Sequence, residues 1–583
     1  MTGRSRLAIS ALTFAQTVAV ALVVLGGVAP SVSRAAPRDD FLDSFNNRTG
    51  GELGTPSALV RDVQKSLTRM GFYSGVIDGR MNDALREAVV AYQKANGRNP
   101  DGKISKELAE HMQTQDRVGN MLQKLDSVRD EKIAAARKAL MEREETRKLL
   151  KGENEREVAD PTRDTSGCFA DPNERCLLNE AVESAKAIFK PELRDWAYGE
   201  ILVSQAKAGM IDEAIATVRR IGDARLIIVA LRDISRTLAQ QNRIKESQEV
   251  AELIPDSVKR LEALSAVVDI MIVKDRKQDA QQAAEVIIKE ARGLDDMLKR
   301  IAVDAQMAAA IAKAGDDTRA LAVLADLQAI IRNPKRFKSA GLRGVAMRHV
   351  AQAYAEMDAP DRALALLDEV SGDDDRTAVL VSVSKAQARA GQWDEALATA
   401  SSITSDRYKA AALGRLAAEM ARGGEEEKAF ALVGYALRLT RGIDLPYARS
   451  YAAGQIALAL VEIGGRYGEK AFARALEATK SMESDQLRAY VLWSVANGQS
   501  RMAMKADAEA TTELANRATR QMVSSFDQVW MLADIAADRI ATGDEDVARA
   551  AIDRGLKVAK GISDASGRAR ALARLASALY DVR

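Results

Sequence analysis

The apolar positions of this chain fall at helical spacing, first over residues 58–112. Val60, Val63, Leu67 and Met70 predict an amphipathic helix over 58–70 that Gly71 stops. Phe72-Tyr73-Ser74-Gly75 and Asp78-Gly79 are turn sequences, since glycine is free to take positive φ. Asp83 is the expected cap of a second helix carrying Ala84, Ala88, Val89 and Tyr92, which Asn96-Gly97 ends. Pro100-Asp101-Gly102 turns once more, and Ser105 caps a third short helix through Met112. Residues 114–166 are dense in charge and predict one long solvated helix to about Leu150, followed by a polar linker. Val118, Met121, Leu125 and Val128 keep a 3-4 spacing there, but the pattern lapses at Lys132, so a sustained coiled coil is not expected. The segment is then either a semi-rigid spacer or a helix packed back on the residues C-terminal to it.

Internal repetition dominates residues 167–583. A glycine stands five residues before an alanine at Gly209/Ala214, Gly315/Ala320, Gly391/Ala396, Gly424/Ala429 and Gly543/Ala548. Weaker copies fall at Ser247, Ala280, Ala363, Ala471 and Ala510, which gives a unit of about 33 residues, sometimes lengthened. Glycine ends one helix, and the acidic residues after it suit the N-terminus of the next. The expected architecture is all-α: a three-helix module at 57–113, a charged connector at 114–166 and an α-solenoid of about ten helix-turn-helix repeats at 167–583. Stacking such hairpins makes a superhelix with a concave surface. Trp196, Trp393, Trp493 and Trp530 are expected in its core, and the Arg-rich run RARALARL on a solvated helix face.

Composition narrows the class. Net charge is +2 and aromatics are only 4%, which argues against a nucleic-acid partner and suits closely packed helices. Residues 1–36 run from Arg4 and Arg6 through an apolar stretch to Ser33-Arg34-Ala35-Ala36, the order of a secretory signal peptide. An uncleaved anchor is the alternative, and no later run is apolar enough to span a membrane. In an oxidising compartment Cys168 and Cys176, in CFADPNERC, are expected to pair as a disulfide. The only histidines are His111 and His349, so neither a His-based triad nor a metal site is expected, and no phosphate- or dinucleotide-binding glycine pattern is present. No cofactor is implied.

The pattern at 57–113 resembles the peptidoglycan-binding domain appended to bacterial wall hydrolases and envelope proteins. The matching residues are Gln64, Leu67, Gly71, Phe72, Tyr73, Gly75, Asp78, Gly79, Ala88, Val89, Tyr92, Gln93, Asp101 and Gly102. Asn82, Leu85 and Arg98 depart from the family pattern. Peptidoglycan offers sugar faces and amide-rich peptides, so Phe72, Tyr73, Tyr92 and Gln93 are the candidate ligand residues, with Tyr73 expected to be exposed. Gly71, Gly75, Asp78, Gly79, Asp101 and Gly102 are expected to serve the turns. The array resembles tetratricopeptide repeats, most clearly at Gly391–Leu397. These resemblances imply a non-catalytic exported envelope protein, in the periplasm of a Gram-negative bacterium, that binds peptidoglycan and holds an unidentified protein or peptide on its array. An assembly protein whose module has lost its ligand and, more remotely, a peptidoglycan hydrolase are the alternatives.

Overall fold

A computed structural model describes residues 56–150, 157–337, 339–541 and 543–582. The leader therefore lies outside the described residues. The chain divides into two units, the first of which ends at Ala135.

The small unit is built by α1 (Ala58–Arg69), α2 (Asp83–Ala95) and the start of α3 (Lys106–Met141). Val63, Leu67, Leu85, Val89, Tyr92 and Met112 fill its core. Asn82, rather than Asp83, caps α2: its side chain accepts from the Leu85 N–H at 2.7 Å, with extended backbone at φ −140°. The third helix does not end at Met112 but runs unbroken into the charged segment, stopping at Met141 rather than near Leu150. Val118, Met121, Leu125 and Val128 are exposed on it.

The second unit opens with the last turn of α3, where Ala136 and Leu140 are buried. After α4 (Glu144–Arg147) and α5 (Ser166–Ala170) come α6 (Glu174–Lys186), α7 (Pro191–Lys207), α8 (Ile211–Val218), α9 (Ala224–Gln240) and α10 (Ile244–Glu252). Next are α11 (Ser257–Val273), α12 (Lys277–Ala291), α13 (Met297–Ala314), α14 (Asp317–Arg332), α15 (Ala340–Glu356) and α16 (Pro360–Leu364). The array continues through α17 (Asp373–Arg389), α18 (Trp393–Ser401), α19 (Asp406–Gly423), α20 (Glu426–Arg441), α21 (Pro446–Tyr467) and α22 (Glu469–Thr479). It ends with α23 (Asp485–Arg501), α24 (Lys505–Gln521), α25 (Ser525–Ala541), α26 (Glu545–Lys560) and α27 (Ala565–Val582).

The odd-numbered helices from α7 to α27 each pack on the next odd one, while the even ones between them scarcely touch one another. The tighter layer is the inner one. The expected repeat array is present, but its ends meet, which an open superhelix does not do. The last helix, α27, packs on α7 and pairs with α6, so the outer helix of the final hairpin comes from the start of the array. Lys207 Nζ bonds Asp581 at 2.6 Å and the Ser577 Oγ at 3.0 Å across this joint, and Arg570 bonds Glu200 at 2.8 Å. The buried core is continuous through it. Cys168 and Cys176 sit just before α6 and on it, with Cα atoms 5.8 Å apart, a disulfide span.

Two local devices repeat around the ring. Each turn from inner to outer helix holds a left-handed residue: Gly209, Asn242, Asp275, Gly315, Asp358, Gly391, Gly424, Gly468, Ala503 and Gly543. The alanine or serine five positions later is buried at Ala214, Ser247, Ala280 and Ala363, but Ala508, not the exposed Ala510, is the equivalent after Ala503. Ala471 likewise stands three residues after Gly468. The opposite turns bury a large apolar side chain, for example Ile188, Ile254, Phe337, Ile443, Met482 and Met522. Six residues on, Arg194, Arg260, Arg343, Arg449, Arg488 or Gln528 donates to that residue's own carbonyl at 2.8–3.5 Å. Asp or Ser two residues after the apolar anchor caps the inner helix, as at Asp256 and Ser484.

Among the described non-glycine residues at left-handed positions, Ala503 is the one whose side chain has no polar group, at φ 58°. An L-residue pays roughly 1–2 kcal/mol in this region, more than glycine's entropic cost. Ala503→Gly should therefore stabilise the protein by about 0.5–1 kcal/mol, read as an increase in the denaturation midpoint. A second prediction concerns Asp304 on α13. Burial pushes its carboxyl up to about 6, against the attraction of Arg300, and one oxygen is buried without a partner. A raised carboxyl weakens the fold as pH rises from about 4 to about 6, where the unfolded chain ionises first. Asp304→Asn should raise stability at neutral pH by on the order of 2 kcal/mol, with the gain vanishing near pH 4 in pH-resolved denaturation.

Candidate functional site

In the small unit two glutamines organise two Asp-Gly turns in the same way. Gln64, fully buried on α1, accepts from the Gly79 N–H at 2.7 Å and donates to the Asp78 carboxylate at 3.0 Å and the Arg80 carbonyl at 3.1 Å. Gln93 on α2 accepts from the Gly102 N–H at 2.9 Å and donates to the Asp101 carboxylate at 2.8 Å. Gly79 and Gly102 have φ of 79° and 67°, which their neighbours crowd and a side chain would strain. The Gln64 amide, then the Arg80 N–H, holds the Asp78 carboxyl below its ordinary range. The Lys103 N–H and then Gln93 do the same for Asp101.

This geometry reassigns the candidate ligand residues. Tyr73 is 5% exposed, not a surface residue: its ring lies over Gly75, where a Cβ would stand 2.4 Å from the hydroxyl, and that hydroxyl donates to the Val76 carbonyl at 3.1 Å. Tyr92 is buried, with its hydroxyl 2.8 Å from His111 Nδ1. Gln93 is committed to its turn. Phe72 is half-buried, edge-on to Tyr92 with ring centroids 5.5 Å apart. What the unit offers to solvent in this region is the loop that Tyr73 braces. Val76 is 76% exposed and Ile77 is exposed beside it. An apolar pair held rigidly on a turn suits a shallow contact with a sugar or aliphatic face. The sequence pattern contained Val76 and Ile77 but gave no signal for them, because a turn's outward residues have no period.

On the ring, successive inner helices form a groove of about 320 Å³ between α11, α13 and α15, lined among others by Glu262, Lys299, Gln306, His349 and Glu356. Burial and then Arg348 push the His349 imidazole down to about 4, so it stays neutral. Gln306 bonds Asp269, and Glu356 bonds Lys313. Among the described residues no group of His, Cys, Asp and Glu is placed to hold a metal ion, and no helix is long and apolar enough to cross a membrane.

Removing the Gln64 amide leaves the buried Gly79 N–H without a partner, a cost of about 1–3 kcal/mol in a unit small enough to be marginal. Gln64→Ala should open residues 56–112 to limited proteolysis while the helical signal of the ring persists. Depressed carboxyls contribute stability above their ordinary value and lose it as pH falls through the lowered one. Hydrogen exchange in the same residues should accordingly speed up below about pH 4.

Residues 56–112 match the family model of the putative peptidoglycan binding domain. No curated protein matches the chain. Among solved structures, Ton1535 from Thermococcus onnurineus NA1 is 13% identical over 59% of this chain and 98% of its own, with a TM-score of 0.27. A circular tandem repeat protein with novel repeat topology and enhanced subunit contact surfaces is 13% identical over 70% of this chain and 96% of its own, with a TM-score of 0.17. The family match covers the three-helix core built on the two glutamine-clamped turns.

Proposed function

We propose that this is a non-catalytic exported protein of the cell envelope that binds peptidoglycan through residues 56–112 and presents its helical ring to protein partners near the wall. The observation that carries this is the family match over the module, together with a core built on Leu67, Tyr73, Ala88, Val89 and Tyr92 of the family pattern. Departures from the pattern do not break the fold, since Asn82 supplies a cap of its own. The leader fits delivery to the periplasm of a Gram-negative bacterium, where Cys168 and Cys176 would pair and stiffen the segment leading into α6.

Contact with the wall is assigned to the braced loop rather than to Tyr73, Tyr92 or Gln93. Residues 37–583 should pellet with purified sacculi, and Val76→Asp/Ile77→Asp should leave the protein in the supernatant without loss of helicity. Equal pelleting of both proteins would remove the loop from the site. Failure of both to pellet would mean the module has lost its ligand.

A further inference from the structure

Most inner helices carry one strip, turned away from the outer layer, that their neighbours leave at least partly uncovered, although Ala411 on α19 is buried. Eight positions after the buried turn residue lies a member of that strip. Around the ring this position is Val229, Glu262, Ala302, Val345, Ala378 and Ala411 on α9 to α19. On the next five helices it becomes Tyr451, Tyr490, Trp530, Arg570 and, across the joint, Trp196. In a chain with 4% aromatics, four aromatic rings and one arginine occupy consecutive equivalent places.

Trp196, Arg570, Phe526, Trp530 and Arg574 form a connected surface. The Arg570 guanidinium lies 4.8 Å from the Trp196 ring centroid and 4.2 Å from that of Phe526, and Arg574 lies 4.7 Å from Trp530. Phe526 and Trp530 meet edge to face at 5.5 Å. One helical turn deeper, the same helices present Gln455, Ser494, Asp534, Arg574 and Glu200. Arg415 bonds Gln455 at 2.9 Å, Arg574 bonds Asp534, and Arg570 bonds Glu200. Trp493, by contrast, is buried and bonds Thr519, as a core tryptophan does. Trp196 is 54% exposed, so its ring is not spent on closing the joint.

We propose that this arc of the inner wall, from α21 through α27 to α7, binds a linear β-1,4-linked amino-sugar strand, with Tyr451, Tyr490, Trp530 and Trp196 as stacking platforms. Pyranose rings have a flat apolar face and a polar rim. Platforms above a row of amide, hydroxyl, carboxylate and guanidinium groups match both. Neighbouring helix axes are about 8–10 Å apart, so the platforms recur at a step that a disaccharide repeat can match. A nucleic acid would also stack, but Arg570 and Arg574 are already paired with Glu200 and Asp534, which leaves them little charge for its phosphates. The choice of glycan rests on the peptidoglycan reading of residues 56–112. A second contact on the same chain raises avidity for a polymer even if each contact is weak.

The test is titration of the full chain with the β-1,4-linked hexamer of N-acetylglucosamine, which carries no peptide, monitored by tryptophan fluorescence and calorimetry. Saturable binding is expected. Trp530→Ala and Trp196→Ala should each weaken it about ten-fold, the loss of one platform. Trp196→Phe should keep most of it, and Glu262→Ala, at the same position on the aromatic-free arc, should leave it unchanged. No binding by the full chain, or equal binding by all these variants, would overturn the proposal. So would binding of a stem tetrapeptide in place of the hexamer, which would make the arc a peptide site. Val76→Asp should weaken pelleting with sacculi but leave hexamer affinity unchanged. Loss of the hexamer with Val76→Asp would place the sugar site in the module and sink the assignment to the ring. Hexamer binding without sacculus pelleting would sink the module's reading alone.

Discussion

A helical hairpin with one apolar face toward each neighbour cannot stand alone, and an array of them has two unsatisfied ends. The pairing of α27 with α6 and α7 removes both ends at once. Everything distinctive about the ring depends on that joint. It makes the core continuous, it gives the last hairpin an outer helix from the far end of the array, and it brings Trp196 beside Arg570. An open array would have needed polar caps at either terminus, and α6 and α27 instead bury faces against each other.

The helices were legible because their apolar period is strong, and the turns were legible where glycine fills the left-handed position. Asn242, Asp275, Asp358 and Ala503 fill the same position without announcing it, which is why four of the ten repeats looked weak. A better signature lay in the opposite turns: a large apolar residue, Asp or Ser two places on, and Arg six places on, as in IPDSVKR, MESDQLR and ISDASGR. It meets two needs, a cap for the inner helix and a donor for the last carbonyl of the outer one. Closure was not legible. It depends on small rotations accumulated over all the repeats, and no local pattern encodes their sum.

In the small unit the sequence showed the helices and the turns but misplaced the surface. Tyr73 sits in a turn, where residues are commonly exposed, yet Gly75 has no side chain and leaves room for the tyrosine ring to fold back over the backbone. Gln64 and Gln93 stand one and two turns into their helices' buried faces, and each spends both ends of its amide on an Asp-Gly turn. The family pattern is in this respect a recipe for a scaffold. The positions that this scaffold does not constrain, such as Val76 and Ile77, are the ones left exposed. Likewise four tryptophans in helices looked alike until the ring separated Trp493, in the core, from Trp196, at its open centre.

The joint between α27 and α6 has a temporal side. Its partners are some 370 residues apart in sequence, and a ribosome makes α6 long before α27. Through most of synthesis the apolar flank of α6 and α7 has no neighbour, and the hairpins between can stack only into an arc with two exposed ends. The final eighteen-residue helix converts that arc into a ring. Contacts this distant are slow to form because the chain between them must already be ordered. The growing chain therefore carries a sticky edge until α27 has been made, and chaperones, proteases or a second nascent copy have that interval in which to engage it.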